Sequence, residues 1–496
     1  LAVLHLHPAD NVALALDQLS PGTPVEVGSR LVKIRDAVPY GHKFALEAIP
    51  LGAQVIKYGQ PIGRSTQPVA QGAYVHVHNL ASAYKLGHID EIELQESSSV
   101  PRAVPAGTPL SKAEFLGFRR RDGRVGVRNH TLVLATVHCA NGVVERIGRL
   151  VPEVVALPHV YGCGQLGEDL AQTRRVLEAY ASHPNVGAVL LIGLGCETMP
   201  TMEMSHELRE QGVTLQHLLI QEVGGSRAAV ERGVSLAREL LQAAAGARRE
   251  PVPVSELMVG VECGGSDAWS GVTANPAVGV AADLLVSLGG TVVLSEVTEF
   301  IGAERLLAAR AASPEVAQHI LAAVARREAV TKELGVDLRG AQPSPGNMAG
   351  GLTTIEEKSL GAIAKGGTAP VREFLAYGQP PTAQGLVVMD TAGNDLESVT
   401  AMVAGGAQVV LFTTGRGSPV GNPIAPVIKV ASNTPVYERL LDDMDLNAGT
   451  VIAGEALNEV GGRILELLLA VADGTSTAAE QWGHHEFAIE PRGPRV

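Results

Sequence analysis

The sequence predicts an α/β protein: a small β-rich N-terminal module followed by parallel-sheet domains built of strand, glycine loop and helix. Three observations lead there. Continuous apolar runs rich in β-branched residues recur along the chain, as buried parallel strands require: "HTLVLATV", "VGAVLLIGLG", "ELMVGVECGG" and "GTVVLSEV". Helical stretches such as "DLAQTRRVLEAYASH" and "AAVERGVSLARELLQAAAGARRE" lie between them. Composition agrees, since 46% of residues are hydrophobic but only 3% aromatic, with 56 glycines. Such cores are built from Ala, Val and Leu with many tight turns, which suits α/β layers better than a sandwich.

Taken in order, residues 1–95 read as short β-type runs ("PVEVGSRLVKI", "YVHVHNL") alternating with turn signals ("SPGT", "IPLGAQ", "PIG", "AQG"). Residues 96–112 are polar and proline-rich, an expected linker. The strand–loop–helix pattern then fills an α/β domain expected over 113–380. "GLVVMDT" and "AQVVLFTTGRG", separated by "DLESVTAMVAGG", predict a further C-terminal α/β domain over 381–496. At 496 residues the chain exceeds one ordinary domain.

A formal charge of −13 without a basic stripe excludes nucleic acid as the expected partner. An acidic surface also attracts no anion at long range, so an acidic substrate needs local Arg or Lys. No 18-residue apolar run predicts a membrane span. Four widely spaced cysteines make a poor disulfide framework, and the expected setting is reducing and cytoplasmic.

Ligands of parallel sheets gather at the carboxyl ends of strands. Cys139 ("TVHCAN"), Cys196 ("GLGCET") and Cys263 ("GVECGG") occupy such ends, and Cys163 lies in the comparable loop "LPHVYGCGQLGEDL". Thiolates suit iron, zinc or iron–sulfur clusters, while a free cysteine also serves as a small buried hydrophobe. His76 and His78 in "YVHVHN" are two apart on an expected strand, so both face one side and can bind metal or move protons. His42 and Lys43 in "PYGHKFAL" offer a base beside an anion-binding cation. Further carboxylates and cations stand in the loops: Glu197, Glu296, Glu299, Glu356, Glu357 and Lys358, with Arg124 and Arg128 before a strand. Glycine-rich "GRGSPVGNP" and "CGGSDAWSG" match neither phosphate-loop nor dinucleotide patterns, which disfavours a nucleotide.

Along nearly its whole length the sequence resembles the altronate/galactarate dehydratase family. The stretches that carry the resemblance are "GHKFAL", "VIKYGQPIG", "HVHN", "DGRVGVRN", "GCGQLGEDL", "GLGCE", "CGGSDAWSGVTANPAVG", "SPGNMAGGLTTIEEKSLGAIAKGG" and "FTTGRGSPVGNP". The resemblance implies an N-terminal β-clip module of the SAF type and a dehydration of an aldonate or aldarate to a 2-keto-3-deoxy acid. It also implies iron as Fe2+, with Mn2+ or a labile iron–sulfur cluster as alternatives. On that reading His42, Lys43, His76, His78 and Glu197 are catalytic candidates. Arg124, Arg128, Asn141, Gln165, Lys358 and Arg416 are substrate-binding candidates, and Cys163, Cys196, Cys263, His76 and His78 are metal candidates. Two rivals are a sulfo-lyase releasing sulfite from sulfolactate and a non-catalytic sugar-acid-binding protein. Assembly as a homo-oligomer is compatible with each.

Overall fold

The computed structural model describes residues 3–84, 114–337 and 342–493. The linker expected over 96–112 lies outside these residues. The N-terminal module is β-rich. Val3–Leu4, Val12–Ala15, Lys43–Ala45 and Tyr74–Val75 form an antiparallel sheet in that spatial order. Beside it stand the hairpin Pro24–Val27/Arg30–Lys33 and a sheet of Gln54–Lys57, Gln60–Ser65 and Leu80–Ala81. The turn between Gln54–Lys57 and Gln60–Ser65 places Tyr58 and Gly59 at positive φ (62° and 71°), the twist-matched hairpin conformation. Tyrosine is strained there, and Asp10 offsets it by accepting the Tyr58 and Gly59 N–H groups at 3.1 and 2.7 Å.

Two parallel sheets follow. The first runs Val155–Leu157, His130–Ala135, Val186–Gly193, Leu215–Leu219 in spatial order. Helices Asn141–Leu150, Gly167–Ala181, Thr201–Glu210 and Ser226–Ala244 alternate with its strands. The second has seven strands: Val371–Leu375, Gly385–Met389, Thr291–Leu294, Met258–Gly264, Val409–Thr414, Val427–Ala431 and Leu446–Asn447. Most of the strands in both sheets are apolar and buried on both faces, as their β-branched runs predicted.

The division expected near residue 380 falls inside this second sheet. Val371–Leu375 and Gly385–Met389 pair in parallel across it, and Gly385–Met389 pairs in turn with Thr291–Leu294. Residues 381–496 therefore complete a sheet begun at Met258 rather than forming one of their own. Sequence periodicity marks strands but not their neighbours, so it cannot locate such a seam. Among the described residues no helix is long and apolar enough to cross a membrane.

Candidate active site

The short helix Ile355–Ala362 ties the N-terminal module to the end of the seven-stranded sheet. Its start is encoded locally: the Thr354 hydroxyl accepts the Glu357 N–H at 3.2 Å, and Glu356 and Glu357 lie in the first turn, where the helix dipole favours acids. Successive helical residues point about 100° apart, so three consecutive charged side chains reach three places. Glu356 accepts from Ser82 Oγ and from the N–H groups of Ala83 and Tyr84, at 2.8–2.9 Å. Glu357 receives Lys43 Nζ on both oxygens and Lys57 Nζ on one, each at 2.9 Å. Lys358 turns the other way and pairs with Glu299 at 2.8 Å.

The Lys43–Glu357–Lys57 group is wholly buried. Burial alone would raise the Glu357 carboxyl, but Lys43 and Lys57 outweigh it and hold it well below the usual range. Burial lowers Lys43 to about 8 against the pull of Glu357. For Lys57 the same burial is overcome by Glu357, and its ammonium is held above the ordinary value. Lys43 Nζ also donates to the Gly351 carbonyl at 2.8 Å. The module is thus docked by charge on residues 348–358, and Leu360 packs on its apolar core.

Behind this seam, at the carboxyl end of Met258–Gly264, lies a second buried group. Cys263 Sγ donates to Glu299 Oε2 at 2.9 Å and accepts from Lys365 Nζ at 3.0 Å. Lys365 also binds Glu296 Oε2 at 2.7 Å. Burial first, then Glu296 and Glu299, push the Cys263 thiol well up. Burial and the Glu299 charge raise Glu296 to about 7, and burial raises Asp395 to about 6. Burial lowers the Lys429 amine to about 7; it lies 3.7 Å from the Phe412 ring centroid.

Two sets of donors here lie within single-ion reach: Cys263, Glu296 and Glu299, and Glu262, Glu296 and Asp395. Lys365 already sits among the first set. In the second, Glu262 Oε1 and Glu296 Oε1 are buried with no hydrogen-bond partner, an expensive state unless a cation or proton joins them. Three carboxylates with two unpartnered oxygens fit a divalent cation.

Three family models match the chain in sequence order. Residues 1–83 match the altronate/galactarate dehydratase SAF domain, 117–245 the D-galactarate dehydratase/altronate hydrolase second domain, and 254–494 the D-galactarate/altronate dehydratase C-terminal domain. The chain belongs to the D-galactarate/altronate dehydratase family. It is 38% identical to altronate dehydratase of Bacillus subtilis over 503 residues, covering 99% of each chain. It is 37% identical to galactarate dehydratase (L-threo-forming) of Escherichia coli, covering 98% of this chain and 96% of that one. The (2R)-sulfolactate sulfo-lyase subunit beta of Chromohalobacter salexigens is 39% identical and matches 77% of this chain. Its subunit alpha matches 48 residues at 46%, so that enzyme carries on two chains what this family member fuses.

Within this dehydratase the expected residues part company. Lys43, Lys358 and Cys263 belong to the two buried groups, and His42 and His76 lie on the module face above them. His76 and His78 do not share a strand face, because the strand ends at Val75. Asn79 Oδ1 accepts the His76 N–H at 2.9 Å and the Asn79 N–H returns to the His76 carbonyl, which turns the chain. His76 therefore points inward and His78 outward. The His76 ring accepts the Val77 N–H on Nδ1 at 2.7 Å and donates from Nε2 to the Met348 carbonyl at 3.0 Å. That neutral tautomer leaves no lone pair for a metal. His42 is lowered to about 4, by burial first and then by His76 and Lys43, and its Nδ1 meets the Tyr74 hydroxyl at 2.7 Å.

The arginines proposed to clamp a carboxylate are already engaged. Arg128 grips Glu480 through two bonds of 2.7 and 2.8 Å, and Arg124 holds Asp122 at 2.7 Å. Asn141 bridges to the backbone of His159, and the Gln165 amide is spent on Gly162, Asp169 and Thr173. Arg416 is exposed. Glu197 accepts from the Gly195 N–H and the Thr201 hydroxyl, which outweigh burial and lower its carboxyl. Cys163 and Cys196 are exposed on the first parallel sheet, apart from buried Cys263 on the second. The residues missed were Lys57, Glu262, Lys365, Asp395 and Lys429. A signal existed for the lysines: "VIKY", "IAKGG" and "VIKVA" set a lone cation inside apolar runs, which calls for a buried partner.

Proposed function

We propose that this dehydratase removes water from an aldonate or aldarate, of the kind represented by altronate and galactarate, and yields a 2-keto-3-deoxy acid. The observation that carries the reading is the helix Ile355–Ala362, whose neighbouring Glu357 and Lys358 join the SAF lysines to the Cys263–Glu299 pocket. The substrate lies along that seam, between the module face bearing Tyr74 and His78 and the loops 265–271 and 348–351. Removing the C2 proton of a carboxylate builds a second negative charge, and expelling the C3 hydroxyl needs a proton donor. Ferrous iron held by Glu262, Glu296 and Asp395 supplies charge stabilisation when bound. Glu296, lifted to about 7 by burial and the Glu299 charge, gives up its proton near neutral pH, which leaves its unpartnered Oε1 to take the cation. Lys365 and Lys358 stay charged beside it. His78 stands exposed beside Tyr74, at 5.4 Å between ring centroids.

The test is a keto-acid assay over a panel of aldonates and aldarates, on protein purified without oxygen and supplied with Fe2+ or Mn2+. Turnover of one acid supports the reading. Sulfite release from sulfolactate, with no keto acid from the panel, replaces it with the sulfo-lyase. Tight binding of an acid without product makes the chain a binding protein.

A further inference from the structure

Cys263 is the buried cysteine of the four, and its sulfur lies against an amine: Lys365 Nζ donates to Cys263 Sγ at 3.0 Å, with both side chains buried. Cys263 stands near the end of Met258–Gly264, a strand held between two parallel neighbours, Thr291–Leu294 and Val409–Thr414. Lys365 lies in the short helical turn Ile363–Gly366. That turn packs so tightly on the helix Ala274–Ser287 that a Cβ at Gly279 would come within 2.2 Å of the Ala364 carbonyl. Neither backbone has room to withdraw, so sulfur and nitrogen are held face to face. The other three cysteines are exposed on the first sheet, which leaves Cys263 no thiol to pair with. Oxidation of its sulfur ends either on the lysine or as a sulfur acid. The acid is disfavoured, because it would add a buried negative charge beside Glu299, at 2.9 Å from the sulfur, and Glu296, which accepts the Cys263 N–H at 3.1 Å.

We propose that Cys263 and Lys365 form an oxygen-bridged S–O–N cross-link under oxidising conditions, a reversible modification that discharges Lys365 and switches the pocket off. The oxidant is dioxygen. Its O–O bond breaks, taking two electrons from sulfur and two from nitrogen. One oxygen atom becomes the bridge through new S–O and O–N bonds, and the other leaves as water with two of the three ammonium protons. The thiol proton passes to Glu299 Oε2, which already accepts it. Cys263 stays protonated until that transfer, so Glu299 is the local base the oxidation needs. A single oxygen atom fits between atoms already 3.0 Å apart, whereas a direct S–N bond would need them to close to bonding distance. Two equivalents of a dithiol reverse the step, returning four electrons and releasing the bridging oxygen as water. While the bridge stands, Glu296 loses the ammonium that it binds at 2.7 Å.

The cross-link is counted without substrate, and only its effect on turnover rests on the dehydratase reading. Full-length protein purified without oxygen is divided, and one half is exposed to air. Both halves are denatured in an alkylating agent, digested and weighed by mass spectrometry. The aerated half should yield a joined pair of peptides, one holding Cys263 and one holding Lys365, heavier than their sum by one oxygen less two hydrogens. The pair should be absent from the anaerobic half, from aerated protein treated with dithiol, and from Lys365→Arg. Turnover, measured after ferrous iron is supplied afresh, should fall as the pair accumulates and return with dithiol. Protein without turnover before aeration fails the dehydratase reading, and the peptides still decide the cross-link. Cys263 recovered free from aerated protein whose exposed cysteines have oxidised overturns the proposal. So does Cys263 recovered as a sulfinic acid, or joined to lysine without the added oxygen. Cross-linked protein that keeps full turnover overturns the switch.

Discussion

Replacing Glu357 by glutamine keeps the side chain's shape and removes the negative charge that Lys43 and Lys57 share. Both lysines are buried with it. Lys43, already lowered to about 8 and bonded to the Gly351 carbonyl, sheds its proton readily once the carboxylate is gone. Among the described residues, the Tyr58 ring at 4.6 Å is the charge-compatible contact left to Lys57. One buried cation is therefore stranded at neutral pH, and removing one partner of a buried pair costs about 3–5 kcal/mol. For a unit the size of residues 254–494, that lowers the thermal midpoint by about 6–20 °C. The sign with pH follows from proton linkage. In the variant both lysines bind protons less tightly folded than unfolded, so the deficit shrinks as pH rises from about 8 toward 10. In the wild type the depressed Glu357 contributes stability above the ordinary carboxylate range, and loses it only as pH falls through its low folded value. Differential scanning calorimetry at about pH 7 and about pH 9, with hydrogen exchange on the N-terminal module, reads these effects. Adding Lys57→Met to Glu357→Gln should recover part of the loss. A midpoint within about 2 °C of wild type, or a deficit that grows with pH, refutes the argument.

Three further outcomes follow from the same contacts. Arg128→Ala breaks the two-bond grip on Glu480 and should cost about 1.5–3 kcal/mol of stability while leaving the KM for the acid substrate unchanged. A KM raised tenfold with unaltered stability would restore Arg128 as a carboxylate clamp. Cys263→Ala frees Lys365 and Glu299 from their shared sulfur, and steady-state kinetics should show kcat lowered about 10²-fold. Full activity in that variant would remove Cys263 from the machinery. Glu296, raised to about 7 from 4.5, binds its proton more tightly folded than unfolded, so it costs stability as pH climbs across that interval. Glu296→Gln should flatten the decline in melting temperature between about pH 5 and about pH 8; an unchanged slope contradicts the assignment.

Much of the architecture was legible before any coordinates. "VGAVLLIG" could be little else than a buried strand, and it is one, Val186–Gly193. The cysteines fell at strand ends because a strand-to-helix loop is where a parallel sheet opens to solvent. The site was harder to read. His76 and His78 alternate perfectly for a strand, yet Asn79 bonds back to His76 and turns the backbone, a local contest that period-two pattern does not register. Arg128 looked free to hold a substrate because its partner Glu480 lies far along the chain, whereas Asp122 stands two residues before Arg124 and was legible in "DGR".

Local chemistry in the chain determined the strand, loop and helix units, the β-rich opening module and the family, since each follows from short-range pattern or from motifs in order. Tertiary structure decided the company each charged group keeps. Lys43 and Glu357 lie far apart along the chain and meet through docking of the module, and Cys263 is parted from the other three cysteines by strand order alone. The reason is physical: burial and non-local pairing set both the cost of a charge and its partner, and neither quantity exists until the sheets have assembled.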